Sequence, residues 1–200
     1  LRETLSWTPE TLIKVALLGL AFGLAGKLFA VSLSWLKKTV AQVLPNPYIR
    51  ISVIGAGLSL ILLTLQLTKV GSYSGLGTNL IDVAFHQGSA QSYDWILKLL
   101  FTVVTISAGY QGGEVTPLFA IGATLGVFLA PMLGLPVLVV AAIGYASVFG
   151  SATTTVLAPI LIGGEVFGYG NLPFFVIACA IAYCLPKEWS IYSGQKVAKK

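Results

Sequence analysis

The sequence predicts an all-α integral membrane protein with broken and re-entrant helices, and three observations carry that expectation. Hydrophobic residues make up 56% of the chain and charged residues only 10%, where soluble domains carry about a quarter, and the mean hydropathy is +0.88. No charged side chain occurs between Glu114 and Glu165, a run of about fifty residues in which more than one span of about twenty would fit. The apolar blocks are rich in Leu, Ala, Ile and Gly, as packed membrane helices are, and show no alternating pattern of barrel strands.

The elements follow in chain order. Trp7-Thr8-Pro9-Glu10 reads as an interfacial helix start leading into a span from about Thr11 to Trp35, closed by Lys37 and Lys38. Lys27 interrupts that span and is expected to snorkel, the alternative being that it faces a cavity. Gly19, Gly23 and Gly26 form a small-residue stripe for close helix contact. Pro45-Asn46-Pro47 makes a turn, and a second span runs from Ile49 to Leu67 with Arg50 at its edge and Lys69 at its exit. A glycine and hydroxyl loop, Gly71 to Asn79, then precedes Leu80 to Phe85, which is too short to cross a bilayer and reads as a re-entrant segment. His86, beside Gln87, Gly88 and Ser89, reads as a loop histidine rather than a proton carrier.

A helix is expected from Asp94 to about Ser107, and another from Leu118 to Leu129, before Pro131 and Pro136 bracket a turn. Val137 to Phe149 and Thr153 to Ile162 read as partial spans separated by Gly150-Ser151. Asn171-Leu172-Pro173 opens the last clear span, ending near Leu185-Pro186-Lys187. Tyr192 falls early in a final helix whose terminal lysines, Lys196 to Lys200, favour a cytoplasmic C-terminus. Cys179 and Cys184, five residues apart on a helix, face different directions, so they read as packing residues with no disulfide or metal site. The net charge of +5 is modest and its basic residues lie largely at segment ends, which suits lipid headgroups and topology better than nucleic acid. The chain opens Leu1-Arg2-Glu3 without Met or an evident signal peptide and reads as part of a longer sequence.

The stretch Gly109-Tyr110-Gln111-Gly112-Gly113-Glu114-Val115-Thr116-Pro117 is the expected functional centre. Lipid supplies no hydrogen bonds, so a polar break between apolar helices survives only inside protein or beside a water-filled cavity. Proline is favoured in the first turn of a helix, the glycines permit unusual dihedrals or close approach of an ion, and the new helix directs its partial positive end back at the break. That arrangement suits an anion. The alternative is an ordinary turn with Thr116 as a plain N-cap.

Three ordered motifs resemble the C-terminal half of the CLC family of chloride channels and anion/proton antiporters, over nearly the whole chain. Tyr73-Ser74-Gly75-Leu76-Gly77-Thr78-Asn79-Leu80-Ile81 resembles the family's glycine-rich segment before a short helix. Gly112-Gly113-Glu114-Val115-Thr116-Pro117 stands where the family has its Gly-Gly-Ile-Phe-Ala-Pro anion motif, and Ser190-Ile191-Tyr192-Ser193 resembles the start of the last helix, whose tyrosine contacts the central anion. The departures at Glu114, Val115 and Thr116 resemble the fluoride-exporting branch. The resemblance implies a CLC-like second inverted repeat, with residues 1–200 as a single, partial transmembrane domain. The Gly-Ser-Gly loop and the Gly-Arg-Glu-Gly helix start with the gating glutamate, which belong to the first repeat, do not occur in this sequence.

On that resemblance the anion is held by Gly113, Glu114, Val115, Thr116 and Tyr192, with the Thr116 and Tyr192 hydroxyls as strong donors for a compact, tightly hydrated ion. Glu114 is the candidate proton carrier, because an intramembrane carboxylate is costly unless protonated, paired or wet. Glu165 is expected to make a structural contact. The function expected is fluoride export coupled to protons, the alternatives being a chloride transporter or channel, or a half-module that needs a partner chain. Partners expected are fluoride or chloride, protons, the lipid of a bacterial-type plasma (inner) membrane, and a second copy of the protein meeting it through segments from about Thr153 to Leu185. No cofactor is implied. Lacking paired intramembrane aspartates, a His-Glu metal cluster or a Ser-His arrangement, the chain is not expected to be an enzyme.

Overall fold

The computed structural model describes residues 3–67, 73–87, 89–186 and 188–192. Lys69, Gly71, Ser72, Gly88, Lys187, Ser193 and the expected final helix through Lys200 lie outside the described residues. Among the described residues there are helices and no strands. They are α1 Pro9–Val43, α2 Pro47–Leu67, α3 Thr78–Asp82 running into a π-helical turn Val83–Gln87, α4 Asp94–Ala108, α5 Val115–Leu133, α6 Val137–Thr153, α7 Leu157–Phe167 and α8 Leu172–Tyr183. Three of them, α1, α2 and α5, are long and apolar enough to cross a membrane, and the others are shorter, as broken and re-entrant spans are.

α1 starts where the sequence indicates: the Thr8 hydroxyl accepts a bond from the Thr11 amide at 3.2 Å, and Pro9 takes the first helical position. It does not stop at Lys37 and Lys38 but continues to Val43, because nothing breaks the helix before Pro45. The stripe of small residues makes the expected close contacts. A side chain on Gly19 or Gly23 would meet the backbone of Ala178 or Ala182 on α8, and one on Gly26 would meet Val148 and Ser151 on α6.

The centre of the molecule is the antiparallel pair α5–α6. A Cβ on Gly122 would strike the Gly144 carbonyl, and a Cβ on Gly126 would lie 2.6 Å from the Ala141 Cα, so the two backbones touch directly. α5 is longer than the sequence suggests, running from Val115 through Pro131 to Leu133 and ending at Gly134 with φ +63°. α6 runs uninterrupted through Gly150 and Ser151. Gly150 is packed against Pro159 of α7, and the Ser151 hydroxyl donates to the Gly23 carbonyl of α1 at 2.8 Å, so these small residues serve packing rather than a break. The break comes instead at Thr154, whose φ of +55° is rare for a β-branched residue.

α2 has no buried residue and leaves most of its apolar surface uncovered. Cys179 is buried, with its sulfur 3.5 Å from the Ser147 hydroxyl, but Cys184 is exposed and does not pack. His86 belongs to the π-helical turn rather than to a loop, and its Nδ1 lies 2.8 Å from an Asp82 carboxylate oxygen one turn earlier. Glu165 is exposed and makes no ion pair or hydrogen bond among the described residues. Replacing Gly122 with Val should destabilise the protein by about 1–3 kcal/mol or more, through overpacking against the α6 backbone. Gly57→Ala, at a helical position with open space around it, should leave the unfolding temperature unchanged or slightly raised, since Ala favours a helix interior over Gly. Thermal unfolding of the two purified variants checks the contrast.

Candidate functional site

The break between α4 and α5 is built from ordinary helix-end chemistry. α4 stops at Gly109, whose φ of +105° suits glycine and whose N–H bonds the Ile106 carbonyl. The freed carbonyl of Ala108 accepts from Arg50 Nε at 3.1 Å, and the Tyr110 hydroxyl donates to the Ile51 carbonyl at 3.1 Å. Both tie the break to the first turns of α2. Arg50 is therefore a cation set at a helix C-terminus, where the helix dipole favours it.

α5 then starts at Val115, with Glu114 in the cap position and no side-chain cap. Thr116 is not the N-cap; it is the second residue of the helix, half-buried, and its hydroxyl bonds nothing among the described residues. Pro117 follows as the third residue, where its lack of an N–H is harmless. The amides of Gly113, Glu114, Val115 and Thr116 have no acceptor among the described residues. Side chains built on Gly112 and Gly113 would meet nothing within 4 Å. The result is a helix start whose donors and positive dipole end face open space. The half-buried Glu114 carboxylate forms no ion pair among the described residues.

Tyr192 reaches the same end of the molecule through a different element. The Ile191 amide donates to the Ala152 carbonyl at 3.0 Å, and the Ser190 hydroxyl donates to the Thr153 carbonyl at 3.4 Å, which docks this segment on the last turn of α6. Because α5 and α6 are antiparallel and meet at Gly122 and Gly144, the α6 C-terminus and the α5 N-terminus share one end of the pair. Thr116 and Tyr192 are thus brought to one end, while their hydroxyls are not bonded to each other. Tyr192 is 48% exposed.

Lys27 fixes this arrangement, contrary to the snorkelling expected of it. Its side chain is 3% exposed, and its Nζ donates to the Thr154 hydroxyl at 3.1 Å and the Trp189 carbonyl at 2.9 Å. One cation therefore joins the strained turn after α6 to the segment that carries Tyr192. It also sits at a helix C-terminus, as Arg50 does.

Three further polar residues escaped the sequence reading as site candidates. Asp94 and Lys98, one turn apart on α4, hold the Tyr73–Gly75 loop. The Tyr73 hydroxyl donates to Asp94 Oδ1 at 2.6 Å, and Lys98 Nζ donates to the carbonyls of Tyr73 at 3.1 Å and Gly75 at 2.7 Å. The signal available was their four-residue spacing on a membrane helix, which sets both on one face. The loop glycines fit the same contact: Gly77 has φ +86°, and a Cβ there would meet the Lys98 stem.

A helix broken between apolar segments, with its second half presenting free amides to open space, is the construction of membrane transport proteins that bind ions between repeats. The sequence matches the family described as voltage gated chloride channel over residues 1–187, and the chain belongs to that family. It is 38% identical over 190 residues to a chloride/fluoride channel protein of Pseudomonas syringae pv. tomato (strain ATCC BAA-871 / DC3000), covering 94% of this chain and 42% of that protein. It is also similar to a solved structure described as the crystal structure of a CLC-type fluoride/proton antiporter, with 52% identity and a TM-score of 0.92. That match covers 96% of this chain and 48% of the other. The chain therefore folds as the matched half of that CLC-type structure and spans somewhat under half the length of these relatives.

Replacing Lys27 with Met removes two bonds from a charged donor, each worth about 1.5–3 kcal/mol. Amide hydrogen exchange across residues 189–192 should become at least about tenfold faster while exchange in α5 is unchanged. Unaltered exchange in 189–192 would show that Lys27 does not hold the segment.

Proposed function

We propose that this chain supplies half of the anion site of a fluoride/proton antiporter in a bacterial-type plasma membrane. The observation that carries the proposal is the helix start at Val115, with unpaired amides, the Thr116 hydroxyl and the Tyr192 segment gathered at one end of the α5–α6 pair. Fluoride binds where strong donors replace its water. Thr116 and Tyr192 each offer a hydroxyl, the amides from Gly113 to Thr116 add N–H donors, and the helix dipole adds a fixed positive potential. The 52% identity to a structure described as a fluoride/proton antiporter supports fluoride as the ion and protons as the partner. Glu114, at the mouth of the helix and free of a countercharge, is the carboxylate suited to carry protons past the anion.

A chloride/fluoride channel is the second reading, favoured by the description of the Pseudomonas relative. In either case the remaining donors come from outside these 200 residues, since Gly112 and Gly113 face open space and sites of this class lie between two repeats. The exposed apolar residues Leu157, Leu161 and Val166 on α7 and Val176 on α8 support a homodimer meeting through the Thr153–Leu185 segments. The cytoplasmic orientation of the C-terminus rests on the terminal lysines alone.

Liposomes holding the encoded full-length protein test the site. Thr116→Ala and Tyr192→Phe each remove a hydrogen bond to a charged ion, about 1.5–3 kcal/mol, and should weaken fluoride binding and slow efflux by about 10- to 100-fold. Rates and selectivity equal to the parent would refute the assignment. Glu114→Gln should uncouple protons, so that fluoride still moves but the accompanying pH change is lost. Proton movement that stays in fixed ratio to fluoride would remove Glu114 from the proton path.

A further inference from the structure

On the reading of Tyr192 as an anion ligand, we propose that Thr154 is the residue that positions it and thereby sets the preference for fluoride over larger halides. Among the described residues Thr154 is the one non-glycine residue with positive φ, at φ +55° and ψ +46°. Helices α4 and α5 end in the same left-handed region on Gly109 and Gly134, which have no Cβ to strain. α6 ends there on a buried, β-branched side chain, so its surroundings hold the turn against an intrinsic cost.

Two consequences of this turn converge on Tyr192. The first lies in the main chain. The Thr154 and Thr155 amides fold back onto the Ser151 and Gly150 carbonyls at 3.2 and 2.9 Å, which stops the helix ladder and frees the next two carbonyls for partners outside it. Those carbonyls, of Ala152 and Thr153, are the ones that accept from the Ile191 amide and the Ser190 hydroxyl. The second lies in the side chain: the Thr154 hydroxyl accepts from Lys27 Nζ, and the same ammonium donates to the Trp189 carbonyl. Lys27 is in no ion pair among the described residues, so these two oxygens direct its ammonium. Trp189, Ser190 and Ile191 are thus each fixed through the turn at Thr154, and Tyr192 is the next residue.

Position matters most for a small ion. Attraction between an ion and a hydroxyl falls with distance, most steeply at short range. The same displacement of the phenol therefore loses more against fluoride than against chloride, which keeps its donors farther away. A fixed Tyr192 hydroxyl favours the compact ion, and a loosened one levels the two. Glycine in place of Thr154 would suit the turn but offer Lys27 no oxygen, which accounts for a strained threonine at this helix end.

Thr154→Ala and Thr154→Ser differ by one oxygen at nearly the same backbone cost. In liposomes holding the encoded full-length protein, Thr154→Ala should lower the ratio of fluoride to chloride efflux rates about tenfold, the effect of one lost bond from a charged donor. Thr154→Ser should keep the parent ratio. In a Tyr192→Phe background, Thr154→Ala should change the ratio no further. An unchanged ratio in Thr154→Ala, a loss of equal size in Thr154→Ser, or a loss that is the same with and without the Tyr192 hydroxyl would each overturn the inference. Should Thr154→Ala fail to fold, Thr154→Gly, which relieves the backbone, takes its place. If Tyr192→Phe alone leaves fluoride efflux unaltered, Tyr192 is not an anion ligand. The positioning is then decided by the ring-carbon resonances of Tyr192, which should shift in Thr154→Ala and not in Thr154→Ser; their staying fixed in Thr154→Ala would overturn it.

Discussion

The direct backbone contact between Gly122 of α5 and Gly144 of α6 is the constraint on which the rest of the arrangement depends. Lipid does not drive helices together by the hydrophobic effect, so their association rests on close packing, and small residues allow the closest approach. This contact fixes the antiparallel pair. It therefore sets the free amides at the start of α5 at the same end as the last turn of α6, where the Tyr192 segment docks. Around that end, Phe119 stacks on Tyr145 at 4.0 Å, and Tyr145 meets Phe167 edge-on at 5.2 Å, which ties α7 to the pair. Rigid packing thus surrounds a segment that is itself unpaired and polar.

Cations hold the irregular backbone together. Arg50 satisfies the end of α4, Lys27 the Trp189 segment docked on α6, and Lys98 the loop before α3, each by donating to main-chain carbonyls that no helix ladder can use. In hydrocarbon every such carbonyl needs a donor. A long basic side chain from a neighbouring helix reaches across and provides it. Broken helices and buried lysines are therefore two parts of one solution, and Lys98 differs in also lining a cavity.

Much of this was legible in the sequence. The composition indicated helices in a membrane, the Gly112–Pro117 motif located the break, and the spacing of Gly19, Gly23 and Gly26 indicated a packing face that the structure bears out. Local signals misled where packing decides. Gly150-Ser151 reads as a break but lies inside α6, because its small side chains admit Pro159 and bond α1. Pro131 reads as a turn but lies within the last turn of α5. Lys27 reads as a snorkelling residue because a sequence does not reveal that Trp189, 162 residues later, returns a carbonyl to it. Lys98 and Asp94 passed as ordinary helix residues for the same reason, since their partner loop at Tyr73 is distant in sequence.

The central claim is that the start of α5 and the Tyr192 segment act on one ion. Titrating fluoride into ¹³C,¹⁵N-labelled full-length protein in lipid bilayers, and following the amide and tyrosine ring-carbon resonances by solid-state NMR, tests it most directly. The account predicts saturable downfield proton shifts at Gly113, Glu114, Val115 and Thr116, with the Tyr192 phenol responding over the same concentration range. Fluoride transport that proceeds while these resonances stay fixed would contradict it.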